Sequence, residues 1–142
     1  MRRLAVFASG SGTNFEAIVT ACERGVLDAE VVLMVCDKPG AKVVERAAAH
    51  GVGAFVFAPK QYASKADYER EIVARLDAAG VELVCLAGYM RIVGDVLLGA
   101  YGGRIIAQRA FPYEGDDIGE LEAMIHAVEY PLYIETIKKL IE

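Results

Sequence analysis

Short unbroken apolar runs alternate along this chain with stretches in which apolar residues recur every three or four positions. Residues 4–8 (Leu-Ala-Val-Phe-Ala) predict a first strand. Phe15, Ile18, Val19 and Cys22 fall at helical spacing, and Gly25 ends that helix. Residues 30–36 are rich in β-branched side chains and predict a second strand, followed by the turn Asp37-Lys38-Pro39-Gly40. Val43, Val44, Ala47 and Ala48 mark a second helix stopped by Gly51, and residues 54–57 form a short third strand. Ser64 is the expected cap of a third helix, with Tyr68, Ile72, Val73 and Leu76 inward and Gly80 at its end. Residues 81–86 predict a fourth strand, 92–101 a helix and 105–108 a strand.

Pro112 and Gly115-Asp116-Asp117 then predict a turn. Asp117 and Glu120 resemble a capping box, opening a final helix with Leu121, Met124, Ile125 and Val128 on one face. Pro131 should break or kink it, and Leu132, Ile134, Ile137 and Leu140 continue the stripe.

Such alternation predicts an α/β fold: a Rossmann-like parallel sheet of βαβ units with helices on both faces. The length suits one domain spanning residues 1–142, with a nucleotide-binding core at 1–104 and a C-terminal strand and helix at 105–142. Residues are 55% hydrophobic, which favours a sheet covered on both faces. The net charge of −5 and the lack of a basic run argue against nucleic acid or an anionic membrane as partner. No stretch is long enough to span a membrane. Three well-separated cysteines, Cys22, Cys36 and Cys85, form no metal-type pair. They read as small hydrophobes in a reducing, cytoplasmic setting.

The first strand runs into Ser9-Gly10-Ser11-Gly12-Thr13-Asn14 and then a helix. A glycine turn at a helix N-terminus offers outward N–H groups and partial positive charge, hence a phosphate cradle. It is not a triphosphate loop, because Thr13-Asn14 follows Gly12 where Lys and Ser/Thr are needed. It is not a dinucleotide fingerprint, because Phe15 stands at the third glycine. Thr13 with Glu16 also reads as an N-cap and capping box, and a cap and an anion site can share one turn. A second informative loop, residues 88–93, follows the fourth strand. Both loops should lie at carboxyl ends of strands, where such sheets bind ligands.

Three segments together, Ala8 to Asn14, Leu33 to Lys38 and Leu86-Ala87-Gly88-Tyr89-Met90-Arg91-Ile92, closely resemble the phosphoribosylglycinamide formyltransferases. The tail from Ile105 through Glu129 resembles that family's C-terminal strand and helix. The resemblance implies formyl transfer from 10-formyltetrahydrofolate to glycinamide ribonucleotide in purine synthesis, without a metal. Gly12, Thr13 and Asn14 would hold the ribonucleotide phosphate, and Glu129 the ribose hydroxyls. Met90, Arg91, Ile92 and Val93 would line the folate pocket, with Arg91 as polar anchor. Lys65 matches a basic position near the formyl-folate. For Lys65 and Glu129, a solvated surface role is an equal alternative.

The chain departs from the family at its chemistry. The family uses an Asn, a His two residues later followed by Pro-Ser, and a later Asp, which stabilise the oxyanion and move the amine proton. Here Asn14 is the only asparagine, and the two histidines, His50 and His126, lack that context. Gly102-Gly103-Arg104 runs directly into Ile105-Ile106-Ala107-Gln108, where two Ile-Ile segments of the family look merged. A deliberate deletion, a natural degenerate relative, or a longer molecule that retains the intervening residues would each account for this. Deliberate deletion is the expectation, leaving a catalytically impaired formyltransferase core with no catalytic residue; the alternative is a non-catalytic phosphate- or ribonucleotide-binding, or fold-model, α/β module, with weak binding at best. Strand four should lose its neighbour unless residues 105–108 replace it. Exposed edges would then favour a homodimer, with exchange of the C-terminal helix hinged at Pro131 as one route.

Overall fold

The computed structural model describes residues 1–108, 125–128 and 133–142. Six described strands form one sheet: β1 (Arg2–Ala8), β2 (Ala29–Cys36), β3 (Ala54–Val56), β4 (Leu83–Leu86), β5 (Ile105–Gln108) and β6 (Ile125–Val128). Their order is β3-β2-β1-β4-β5-β6, and every neighbouring pair is parallel. The expected α/β architecture is therefore present.

Both faces of the sheet are covered. Helices α1 (Thr13–Glu23), α2 (Lys42–Ala49) and α5 (Tyr133–Ile141) pack on one face through Phe15, Ile18, Val43, Ala47, Tyr133 and Ile137. Helices α3 (Lys65–Ala78) and α4 (Asp95–Tyr101) cover the other through Tyr68, Ile72, Leu76, Leu97 and Tyr101. This two-sided cover explains the unbroken apolar run of β1: Leu4 and Val6 face one core while Ala5 and Phe7 face the other.

Four local expectations change. Gly12, not Thr13, is the N-cap of α1; its φ of 80° is left-handed and no side chain caps the helix. Glu16 is engaged with α2 instead of closing a capping box. Helix α4 begins at Asp95 rather than residue 92, because residues 88–93 form an irregular loop. Ile125 and Val128 belong to β6, not to a helix, and His126 is likewise a strand residue. Their spacing of three suits a helix, and parallel pairing with β5 overrides it. The predicted turn at Pro112 and residues 115–117, the cap at Asp117 and Glu120, and Leu121, Met124, Glu129, Pro131 and Leu132 lie outside the described residues.

Ser64 caps α3 as expected, accepting from the Asp67 N–H at 3.3 Å. β5 takes the place beside β4, with Val84 opposite Ile105 and Leu86 opposite Ala107. Strand four is therefore not an edge. The buried Tyr133 hydroxyl meets two strand carbonyls, Leu86 O at 3.0 Å and Ile106 O at 2.9 Å, and so fastens α5 across the β4–β5 seam.

Candidate functional site

The strand order reverses direction between β1 and β4. The loops that leave the carboxyl ends of these neighbours are residues 9–14 and 87–94, so they open side by side at the switch point. They are stitched together. The Ser9 N–H donates to Gly88 O at 3.1 Å, and the Met90 N–H donates to Ser9 Oγ at 2.8 Å. Ser9 is buried as a result.

The first loop rests on α2. Val43 N–H donates to Gly10 O at 3.1 Å, and Arg46 Nε donates to Ser11 O at 2.6 Å. A Cβ on Gly12 would lie 2.6 Å from Val43 Cγ2, so only glycine suits both the close approach and the left-handed φ. Thr13 is exposed and Asn14 half-buried at the start of α1. The first turn of a helix leaves backbone N–H groups without intrahelical acceptors. That end of α1 has no side-chain cap.

The second loop is held from below by two buried carboxylates. Asp37, at the end of β2, accepts from Arg91 Nε at 3.0 Å. Glu69, on α3, accepts from Gly94 N–H at 2.8 Å and Leu97 N–H at 3.2 Å, so it caps α4 from a different helix. Burial pushes the Glu69 carboxyl up, while the two backbone donors pull it back. Lys65 Nζ donates to Ile92 O at 2.8 Å, which ties α3 to this second loop.

The four loop residues do not all face outward. Met90 is 64% exposed, Arg91 is exposed beyond its pairing with Asp37, and Ile92 is half-buried. Val93 is buried in the core, so only its backbone can face a ligand. Two buried polar atoms near this loop have no hydrogen-bond partner among the described residues: Asp37 Oδ1 and the Tyr89 hydroxyl. Burial drives the Tyr89 phenol far up, so it stays protonated and able to donate. Glu129 lies outside the described residues.

The structure therefore joins Gly12, Thr13 and Asn14 in one loop, and Lys65 with residues 90–93 in the adjoining one. Ser9, Asp37 and Glu69 had not been singled out as site residues. Glu69 left a signal: it falls in the 69, 72, 76 spacing of the α3 inner face, a carboxylate in an apolar stripe. Ser9 and Asp37 act through partners 81 and 54 residues away, which no local pattern reveals.

Residues 2–108 match the formyl transferase family model. The chain belongs to the formyl transferase family. The phosphoribosylglycinamide formyltransferase of Bacillus subtilis (strain 168) is 56% identical over 106 residues, 75% of this chain and 54% of that protein. The chain thus spans about half the length of this curated relative. Among solved structures, glycinamide ribonucleotide transformylase 1 from Geobacillus kaustophilus is 56% identical with a TM-score of 0.75, covering 82% of this chain and 64% of that one. The phosphoribosylglycinamide formyltransferase of Streptococcus pneumoniae TIGR4 is 34% identical with a TM-score of 0.77, covering 100% of each chain. The family's sheet, with its two loops at the switch point, is the scaffold described above. Among the described residues no helix is long and apolar enough to cross a membrane.

Proposed function

We propose that this chain is the ligand-binding core of a phosphoribosylglycinamide formyltransferase, and that as written it binds but does not transfer. The joining of the two loops through Ser9 and Met90 carries this reading. One loop suits a phosphate and the other a flat, partly apolar ligand, and a transfer reaction requires both ligands side by side.

In this reading Gly12, Thr13 and Asn14 hold the phosphate of glycinamide ribonucleotide, and Glu129 its ribose. Met90, Arg91, Ile92, Val93 and Lys65 form the 10-formyltetrahydrofolate side. The residues present fit that co-substrate: exposed Met90 and half-buried Ile92 offer apolar contact, and Arg91 offers a cation to a carboxylate. The unpartnered Tyr89 hydroxyl and Asp37 Oδ1 leave hydrogen-bonding capacity in the same place. When bound, the folate supplies the formyl group. The protein's residues orient the two ligands.

The lack of catalysis follows from composition. Asn14 is the only asparagine and belongs to the phosphate loop, and neither histidine has the family's Asn-x-His context. The missing Asn-x-His…Asp segment is read as a deletion, by design, between Arg104 and Ile105. The direct run of Gly102-Gly103-Arg104 into Ile105-Ile106-Ala107-Gln108 supports that reading.

Steady-state assay with 10-formyltetrahydrofolate and glycinamide ribonucleotide tests the reading, with calorimetric titration of each ligand alongside. Binding of the ribonucleotide without turnover is expected. Turnover above the uncatalysed rate overturns the loss of catalysis, and absence of binding overturns the core itself. A single cytoplasmic domain that forms a homodimer completes the proposal. Because α5 packs on its own sheet through Tyr133, the association needs no exchange of that helix. A monomer by light scattering would remove the dimer.

A further inference from the structure

His50, at the C-terminal cap of α2, lies between two carboxylates. Its Nδ1 is 2.9 Å from Glu23 Oε2 and its Nε2 is 2.7 Å from Glu16 Oε2. An ionised carboxylate only accepts, so with both carboxylates ionised the two contacts are satisfied together only when both ring nitrogens carry a proton. The ring is 17% exposed and meets the Phe15 ring edge-on.

The contact does not stop at His50. Glu16 gives its other oxygen to Arg46 Nη1 at 3.3 Å, and Arg46 Nε reaches Ser11 O at 2.6 Å. A continuous chain thus runs Glu23, His50, Glu16, Arg46, Ser11. Its last member is the loop that precedes the α1 N-terminus. Glu16 itself lies in the first turn of α1, where a free carboxylate would repel an incoming anion. With His50 charged, its two carboxylates are balanced by two cations. With His50 neutral, one negative charge is left beside the cradle, and one of the two ring contacts sets acceptor against acceptor.

We infer that His50 is a positioning residue for the anion loop, holding Glu16 and Arg46 so that the Ser11 carbonyl and the α1 N-terminus stay aligned and uncharged overall. The inference rests on the cradle reading above for the identity of the ligand, an oxyanion of the phosphate class. The charged groups that face His50 are Glu16 and Glu23 from α1 and, through Glu16, Arg46 of its own helix. On β2 the ionisable groups are Glu30 and Cys36, and β3 carries none.

The sign follows from the geometry. Hydrogen bonds from Glu23 and Glu16 hold the His50 pKa above its ordinary value. Glu16 is correspondingly lowered, chiefly by His50. The tie is complete below the ordinary histidine value while Glu16 and Glu23 stay ionised; it is lost as pH rises through the raised His50 value and, at the acid end, as Glu16 takes up a proton.

The test is amide and imidazole NMR of the full chain from acid to mildly alkaline pH at fixed ionic strength. Sulfate serves as probe, because its charge is constant across the range. We expect the amides of residues 11–13 to inflect at the midpoint of the His50 ring, with or without sulfate. Sulfate affinity should fall about threefold across that midpoint, the effect of one added negative charge at partly solvated range. His50→Gln should abolish the inflection. Glu23→Gln should move it to lower pH together with the ring. Loop amides that stay still while His50 titrates, or an H50Q chain that keeps the inflection, overturn the inference. An inflection with no sulfate-dependent shift sustains the His50 coupling and defeats the anion-cradle reading instead.

Discussion

The two loops at the switch point occupy equivalent positions and are anchored in opposite ways. Residues 9–14 are held through their backbone, by carbonyls that accept from α2 and by a glycine pressed against Val43. Residues 88–94 are held by side chains that reach up from below: Asp37, Glu69 and Lys65. Backbone anchoring leaves the N–H groups of a helix start available for an anion that any side chain would crowd. Carboxylate anchoring lets an irregular loop keep its shape while Met90 and Arg91 remain exposed. The difference shows how the carboxyl ends of two neighbouring strands can present surfaces of unlike chemistry.

Substitutions can break each mode separately. Glu69→Ala should have the largest effect, because it strands the N–H groups of Gly94 and Leu97 near the core. Relief of the buried charge offsets part of the loss, and a net cost of about 3 kcal/mol is expected. Urea unfolding would measure it, and faster exchange of the Leu97 amide would locate it. If E69A matched the parent in both, carboxylate anchoring would be refuted. Gly12→Ala should cost about 2 kcal/mol, since alanine is strained at positive φ and its Cβ meets Val43. Its unfolding midpoint should fall while the Leu97 amide stays protected; a neutral G12A would mean the loop is not tightly seated.

Legibility in the sequence follows the same division. A glycine turn between an apolar run and a helical stripe is a local signal, so residues 9–14 were readable before any fold was known. The family motif at residues 86–92 was equally plain, but the means of holding it was not. Asp37 looked like an ordinary turn residue, and only pairing of the strands brings it under Arg91. Residues 125–128 were misread for a physical reason. Leu121, Met124, Ile125 and Val128 repeat at helical spacing, yet residues 125–128 complete a sheet whose next strand was waiting for a partner. Long-range pairing overrode a local period.

Smaller perturbations sharpen the contrast. Ser9→Ala removes the only side-chain hydrogen bond described between the two loops and should cost about 1 kcal/mol. Its distinctive readout is loss of communication: ligand at residues 12–14 should no longer shift the Met90 amide. Lys65→Met keeps the aliphatic stem and drops the bond to Ile92 O, with a stability cost of about 0.5 kcal/mol or less. If Lys65 serves the folate side, K65M should weaken folate binding well beyond that small loss, whereas unchanged folate affinity would assign it to the surface.

Tyr133 has a use of its own. The chain contains seven tyrosines and no tryptophan, so its near-ultraviolet signal is a tyrosine signal. Complete burial drives the Tyr133 phenol far above the ordinary value, and its hydroxyl is committed to the carbonyls of two adjacent strands. Alkali alone should therefore leave it un-ionised while accessible phenols lose their protons. The part of the late phenolate step that Tyr133→Phe removes, as distinct from that of the buried Tyr89, would mark the moment the C-terminal helix lifts from the sheet, giving this chain a built-in optical reporter of that separation.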